Sequence, residues 1–146
     1  MPKRDDGDKV GINVGGNFLF GLPMDTQETM RNNLKLAHEL NCEYANFFLL
    51  MPYPGTKYYG IAKEKGYPLP KKWNDYGFFA PGAIPMSSEN LTAKEIVKFR
   101  DEAFIEYFSS DSYQNMIKSK FGQATVNFIN DQILSKHIKR DILCQS

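Results

Sequence analysis

The chain has 146 residues, with 18 Lys and Arg against 17 Asp and Glu, a formal net charge of +1 and 42% hydrophobic residues. Charges this evenly balanced exclude the concentrated Lys and Arg of a nucleic-acid or anionic-membrane surface, and 14% aromatic content excludes a disordered chain. The length suits one soluble globular domain, or part of one, with a core burying roughly 68–70% of the unfolded surface.

No apolar run approaches the roughly 20 residues of a membrane span. The start, Met1-Pro2-Lys3-Arg4-Asp5-Asp6, carries both charge signs with no apolar stretch behind it, so a secretory signal is not expected and the cytoplasm is the default location. Cys42 and Cys144 have neither CxxC nor CxxxCxxC spacing. They define no metal or cluster site and are expected to be reduced thiols.

In chain order, Ile12 to Phe20 reads as a strand interrupted by Gly15-Gly16 and stopped by Gly21-Leu22-Pro23. Asp25 stands three residues before Glu28 in a capping-box-like start, and Met30, Leu34, Ala37 and Leu40 follow at helical spacing. Tyr44 to Met51 is almost wholly apolar, as expected of a parallel strand covered on both faces. After Pro52-Tyr53-Pro54-Gly55, a shorter helix is predicted from Thr56 to Lys65, with Lys63 and Lys65 at its negative end and Gly66 as its left-handed cap.

Between Gly66 and Asn90 prolines alternate with Trp73, Tyr76, Phe78 and Phe79, a long aromatic loop that is either functional or ordered against another element. Thr92 and Glu95 form a capping box for a helix whose apolar face is Ile96, Phe99, Ala103, Phe104, Tyr107 and Phe108. Ser109-Ser110-Asp111 ends it. A short helix from Tyr113 to Ser119 and a last one from Gln123 to Leu143, with Val126, Ile129, Ile133, Leu134 and Ile138 inward, complete the chain.

Strand, helix, strand, helix predicts parallel pairing through a crossover. Two such strands leave unpaired edges beside strongly hydrophobic side chains. Either a third strand lies near Gly77 to Ala80, or the two βα units belong to a larger parallel barrel whose other strands come from elsewhere, which is the preferred reading.

Ligands of parallel α/β folds bind at the carboxyl ends of strands, where loops offer free N–H groups. Here those places are Gly21-Leu22-Pro23-Met24 and Met51-Pro52-Tyr53-Pro54-Gly55. Asn17 and Asn46 stand within apolar strands, where each carboxamide must bond a neighbour or face a ligand. His38 is placed on the solvent side of its helix, the run Lys136-His137-Ile138-Lys139-Arg140 reads as a solvated face, and Asp101 and Glu102 read as surface charges. Trp73 reads as a cover over the barrel. GxGxxG and Walker patterns are absent.

The strings Gly16-Asn17-Phe18-Leu19-Phe20-Gly21-Leu22-Pro23, Asp25-Thr26-Gln27-Glu28-Thr29-Met30 and Met51-Pro52-Tyr53-Pro54-Gly55-Thr56-Lys57-Tyr58-Tyr59 together resemble the radical S-adenosylmethionine enzymes, in particular the group that also carries a cobalamin-binding domain. The resemblance spans roughly Lys9 to Tyr67, and Leu91 to Gly122 resembles the helical extension that follows the barrel in that group. It implies an α/β fold, a partial (β/α) TIM-type barrel fragment of two βα units at 9–67, then an aromatic loop at 68–90 and a helical extension at 91–143.

The resemblance further implies S-adenosylmethionine, a [4Fe–4S] cluster on a CxxxCxxC loop in an earlier half of the barrel, and cobalamin as a cofactor of the group. In the family, reductive cleavage of the sulfonium yields a deoxyadenosyl radical that abstracts hydrogen from a small-molecule substrate. Asn17 would face the ribose or methionine part of the cofactor, where related sequences often carry Asp, and Gly21, Leu50, Met51 and Pro52 complete the cofactor-binding set, with the chain around 50–52 against the adenine. Met24 replaces a common Gly and suggests a tightened or substrate-specific mouth. No residue here would ligate the cluster, so the chain alone is expected to be inactive and its partner is the missing barrel half. Two other readings stay open: a non-catalytic module pairing through an exposed strand edge, and a self-contained small α/β binding domain.

Overall fold

The computed structural model describes residues 10–136 and 138–144; the mixed-charge start, Lys9 and His137 lie outside them. The strands are β1 (Gly15–Phe20) and β2 (Tyr44–Leu49). The helices are α1 (Gln27–Leu40), α2 (Lys57–Glu64), α3 (Ala93–Ser109), α4 (Asp111–Phe121), α5 (Gln123–Ile129) and α6 (Asp141–Cys144), with a 3₁₀ turn at Trp73–Tyr76. Two βα units followed by helices are the predicted α/β order. No described helix is long and apolar enough to cross a membrane.

The Tyr44 N–H donates to Val14 O at 3.3 Å and the Leu50 N–H to Phe20 O at 3.0 Å. Both partners advance together along the chain, which makes the pair parallel. Among the described residues the sheet has these two strands only. The predicted third strand at Gly77 to Ala80 is instead a turn, closed by Ala80 N–H to Gly77 O at 2.8 Å. Another segment meets β2: the Met86 N–H donates to Leu50 O at 2.7 Å. In a parallel ladder the returning donor would be residue 52, and Pro52 has no N–H, so that pairing ends after one rung.

β1 begins at Gly15, leaving Ile12 exposed and outside it. In β2 the side chains of Ala45, Phe47 and Leu49 are buried while Tyr44 and Asn46 are exposed. The expected cover on both faces is therefore not found. Parity puts alternate residues on opposite faces, and with two strands only one face is lined by the core.

By contacts the chain divides into two compact units, Met1–Phe18 with Arg31–Phe47 and Ala103–His137, and Leu19–Met30 with Phe48–Glu102 and Ile138–Ser146. In the first, Phe47 stacks on Phe18 with centroids 5.4 Å apart and meets Tyr107 edge-on at 5.4 Å. Burying such a ring contributes roughly 2–3 kcal/mol. The Tyr107 and Tyr113 hydroxyls donate to the carbonyls of Cys42 (2.8 Å) and Glu43 (3.2 Å), so both aromatic residues satisfy backbone just before β2. In the second unit, Phe20 meets Phe99 edge-on at 5.1 Å, with Met30, Ala62, Ile96 and Val97 fully buried.

The helix boundaries follow their caps. Thr92 and Glu95 exchange the bonds of a capping box, Thr92 N–H to Glu95 Oε2 at 2.8 Å and Glu95 N–H to Thr92 Oγ1 at 3.2 Å. Thr56 caps α2 through Tyr59 N–H, and Gly66 adopts φ +67° beyond its end. For α1 the cap is not Asp25 with Glu28. Thr26 and Thr29 exchange the reciprocal bonds at 2.9 and 3.2 Å, which frees Asp25 for the loop before them.

The predicted helix from Gln123 to Leu143 is interrupted. After α5, Asn130–Leu134 widens into a π-type turn in which Ser135 N–H reaches back to Asn130 O at 3.1 Å, and regular structure resumes only at α6. Arg140 does not join a solvated charged face: its side chain is fully buried and bonded to Asp101. Asp101 is accordingly not a free surface charge.

Candidate functional site

In the second unit β1 and β2 end side by side. Gly21 has φ +85°, and a Cβ there would lie 2.8 Å from Ile96 Cγ2, so both backbone conformation and packing require glycine. Asp25 Oδ2 accepts the N–H groups of Gly21 (3.0 Å) and Leu22 (2.9 Å), while Thr29 Oγ donates to Asp25 Oδ1 at 2.9 Å. This corrects the expectation of free donors in the first loop: the carboxylate already holds them. Met24 projects beyond, 84% exposed.

At the exit of β2, Leu50 has both main-chain groups engaged, its N–H on Phe20 and its C=O with Met86. Met51 and Pro52 are buried. Tyr53 N–H turns back to Met51 O at 2.9 Å, and Thr56 clamps Tyr53 O through N–H at 3.0 Å and hydroxyl at 2.7 Å. Among the described residues the Met51 N–H meets no acceptor, although the residue is 4% exposed. A buried unpaired donor is costly, and a ring nitrogen of an adenine is the kind of acceptor that satisfies one. Of the predicted cofactor set, Gly21, Leu50, Met51 and Pro52 thus occur together in this unit.

The aromatic loop borders the same exit. Phe78 meets Phe48 edge-on at 5.0 Å, Phe79 packs on Phe78 at 4.4 Å, and the Arg100 guanidinium sits 4.9 Å from the Phe79 ring centre. Tyr53 stacks with Tyr76 at 6.0 Å. Trp73, expected to cover the barrel, is 76% exposed and touches Tyr76 at the outer end of the loop. The buried cations Arg100 and Arg140 were not singled out by sequence reading, and the only signal for them is the aromatic and carbonyl-rich loop they serve.

Asn17 belongs to the first unit. It is exposed on β1, and its Oδ1 accepts from Asn46 Nδ2 at 3.0 Å. Both predicted carboxamides therefore meet each other, and the pair leaves Asn17 Nδ2 as donor and Asn46 Oδ1 as acceptor, without partners among the described residues. Beside β2 lies an apolar groove of about 330 Å³ whose walls include Tyr44, Asn46, Phe121 and Phe128. At its base the Glu43 carboxylate is buried, bonded to Val14 N–H at 2.9 Å and paired with Lys120; sequence reading missed it because it precedes an apolar strand without a motif. Burial, then the nearby Tyr44 and Glu43, pushes the Tyr113 hydroxyl up to about 12. His38 is not on open solvent but half-buried, 5.5 Å from the Tyr107 ring and 3.5 Å from Glu106.

The two cysteines do not fit a [4Fe–4S] cluster. Cys42 is buried and Cys144 exposed, two thiols where the family pattern needs three, and among the described residues no three His, Cys, Asp or Glu side chains converge as a metal site.

No family model matches this chain. An uncharacterized methyltransferase of Pyrococcus horikoshii is 30% identical over 100 residues, 68% of this chain and 21% of that protein. Bacteriochlorophyllide d C-8(2)-methyltransferase of Chlorobaculum tepidum is 32% identical over 72 residues, 49% of this chain and 16% of that protein. The chain spans about a fifth of the length of the first relative and less of the second. By sequence it is similar to methyltransferases.

Proposed function

We propose that the chain forms the later βα units of a radical S-adenosylmethionine methyltransferase, supplying part of the cofactor pocket and depending on a separate barrel half for the cluster. The observation that carries this is the buried, unpaired Met51 N–H at the turn where the resemblance puts adenine, in a chain whose relatives are methyltransferases. S-adenosylmethionine, when bound, brings a reactive sulfonium. What this chain contributes is orientation: within the second unit, the 50–52 turn offers a donor, and Asp25 fixes the neighbouring loop by accepting the Gly21 and Leu22 N–H groups. Cobalamin is carried in this reading as a cofactor of the group, bound outside this chain.

Equilibrium dialysis of the purified chain with S-adenosylmethionine tests it. Binding that adenosine competes away supports the reading; no binding at millimolar ligand sinks it. Incubation with iron and sulfide should leave the chain colourless, and an air-sensitive brown product would overturn the dependence on another half.

A second reading, a module that pairs through a strand edge, is favoured by the groove along β2, where Tyr44 and Phe128 are 60% and 59% exposed. Loss of partner binding on Phe128→Asp, with S-adenosylmethionine binding absent throughout, would favour it.

A further inference from the structure

Residues 138–144 act within the second unit as a strap rather than as the end of a helix. The Arg140 guanidinium gives Nε to Asp101 Oδ2 at 2.7 Å and Nη2 to Asp101 Oδ1 at 2.8 Å, and spends Nη1 on two loop carbonyls, Phe78 O and Ala80 O, both at 2.9 Å. The next residue adds a bond, Asp141 N–H to Pro81 O at 3.0 Å, and Ile142 lies in a small cavity with Tyr67, Pro68 and Ala93. Residues 77–83 carry no ladder of their own; their internal bonds are the single turns Ala80 to Gly77 and Ala83 to Ala80. Their path is set from outside, by the Arg140 fork on two carbonyls, by Asp141 on a third and by the Arg100 guanidinium against the Phe78 and Phe79 rings. A fork of this geometry is specific to Arg, because an ammonium cannot hold a carboxylate side-on and two divergent carbonyls together.

The held segment carries Phe78 against Phe48, and Phe48 stands two residues before Leu50 at the exit of β2. We propose that Arg140 is a positioning residue for this exit: through Phe78 O and Ala80 O it keeps the aromatic loop closed as an apolar wall beside the 50–52 turn, and loosening it opens the wall to water. That the wall borders bound S-adenosylmethionine rests on the function proposed above. The latch itself does not, and one experiment separates the two.

Hydrogen exchange is measured on the whole chain for wild type, Arg140→Lys and Phe78→Leu, without and with S-adenosylmethionine, beside equilibrium dialysis. For Arg140→Lys the bonded amides of Ala80 and Ala83 should exchange at least tenfold faster while those of Asp111–Phe121 stay unchanged, and affinity should fall about fivefold. Phe78→Leu, which leaves the Arg140 bonds in place, should keep slow exchange at Ala80 and Ala83 and lose affinity alone. Unchanged exchange at Ala80 and Ala83 in Arg140→Lys overturns the latch. Acceleration spread over the whole chain overturns it too, since Arg140 would then hold the fold and not the loop. A wild type that binds the cofactor, with both variants binding equally well, overturns the wall. A wild type that binds none sinks the proposed function, and the exchange result still decides the latch.

Discussion

Arg140 and Asp101 form a two-bond ion pair, at 2.7 and 2.8 Å, between residues 39 positions apart. The arginine is wholly buried and the carboxylate 22% exposed. Breaking one partner of such a pair leaves an uncompensated charge in the interior, which costs far more than the pair itself contributes. Asp101→Asn should therefore lose about 3 kcal/mol of stability, read from the urea midpoint. A loss below about 1 kcal/mol would mean that water or another acceptor already serves the guanidinium.

Gly21 faces Ile96 with no room for a methyl group, and its φ is +85°. Gly21→Ala should cost about 2–3 kcal/mol, combining left-handed strain with a steric clash. The double variant with Ile96→Val should not restore all of it, because trimming Ile96 relieves the clash and not the φ. Full recovery in a thermodynamic cycle would refute the conformational part.

The capping box lowers the Glu95 carboxyl below its usual range, chiefly through the backbone N–H of Thr92 and then its hydroxyl. A carboxylate whose folded pKa is depressed adds stability that is present above the unfolded value near 4.5 and vanishes as pH falls through the folded one. Glu95→Gln should flatten this acid limb while keeping most of the neutral-pH stability, and Thr92→Ala should cost about 1 kcal/mol at neutral pH. Denaturant melts between pH 3 and pH 7, a range set by the carboxylate values, check both.

Tyr113 makes the opposite test. Its hydroxyl is raised from 10.0 to about 12, so its contribution is complete below pH 10 and is lost as pH rises toward the folded value. Tyr113→Phe should remove that alkaline dependence, at the cost of the bond to Glu43 O. An unchanged alkaline limb would show that another group controls it.

Asn17 is exposed, and its amide bonds only Asn46 among the described residues, so Asn17→Ala should leave melting within about 0.5 kcal/mol. Under the proposed function it should weaken S-adenosylmethionine binding roughly tenfold, the worth of one or two hydrogen bonds. Asn17→Asp should retain more than Ala. Equal binding by all three would remove Asn17 from the pocket.

Local chemistry made much of this legible. The capping box of Thr92 and Glu95, the cap at Thr56, Gly66 after α2 and the apolar face of α3 are contacts within four residues, so the order of types states them. Among the candidate residues, Gly21 and the turn at Met51-Pro52-Tyr53-Pro54-Gly55 were legible from turn chemistry, as was the polarity of Asn17, whereas Leu50 entered only through the resemblance. That Asp25 consumes the loop donors was not, because Asp25 fits a helix cap equally well and only the rival pair Thr26 and Thr29 decides between them.

Hydrophobic period, caps and turn residues, which act over a few positions, were enough to specify two parallel βα units followed by helices. Three features came only from long-range packing: one face of β2 lies open, the segment at Met86 meets the exit of β2 through one bond, and Arg140 is buried. Each of these depends on partners many tens of residues away. A charge in a basic run is solvated unless a carboxylate and free carbonyls are brought to it, and only folding in three dimensions places Asp101, Phe78 and Ala80 around one guanidinium.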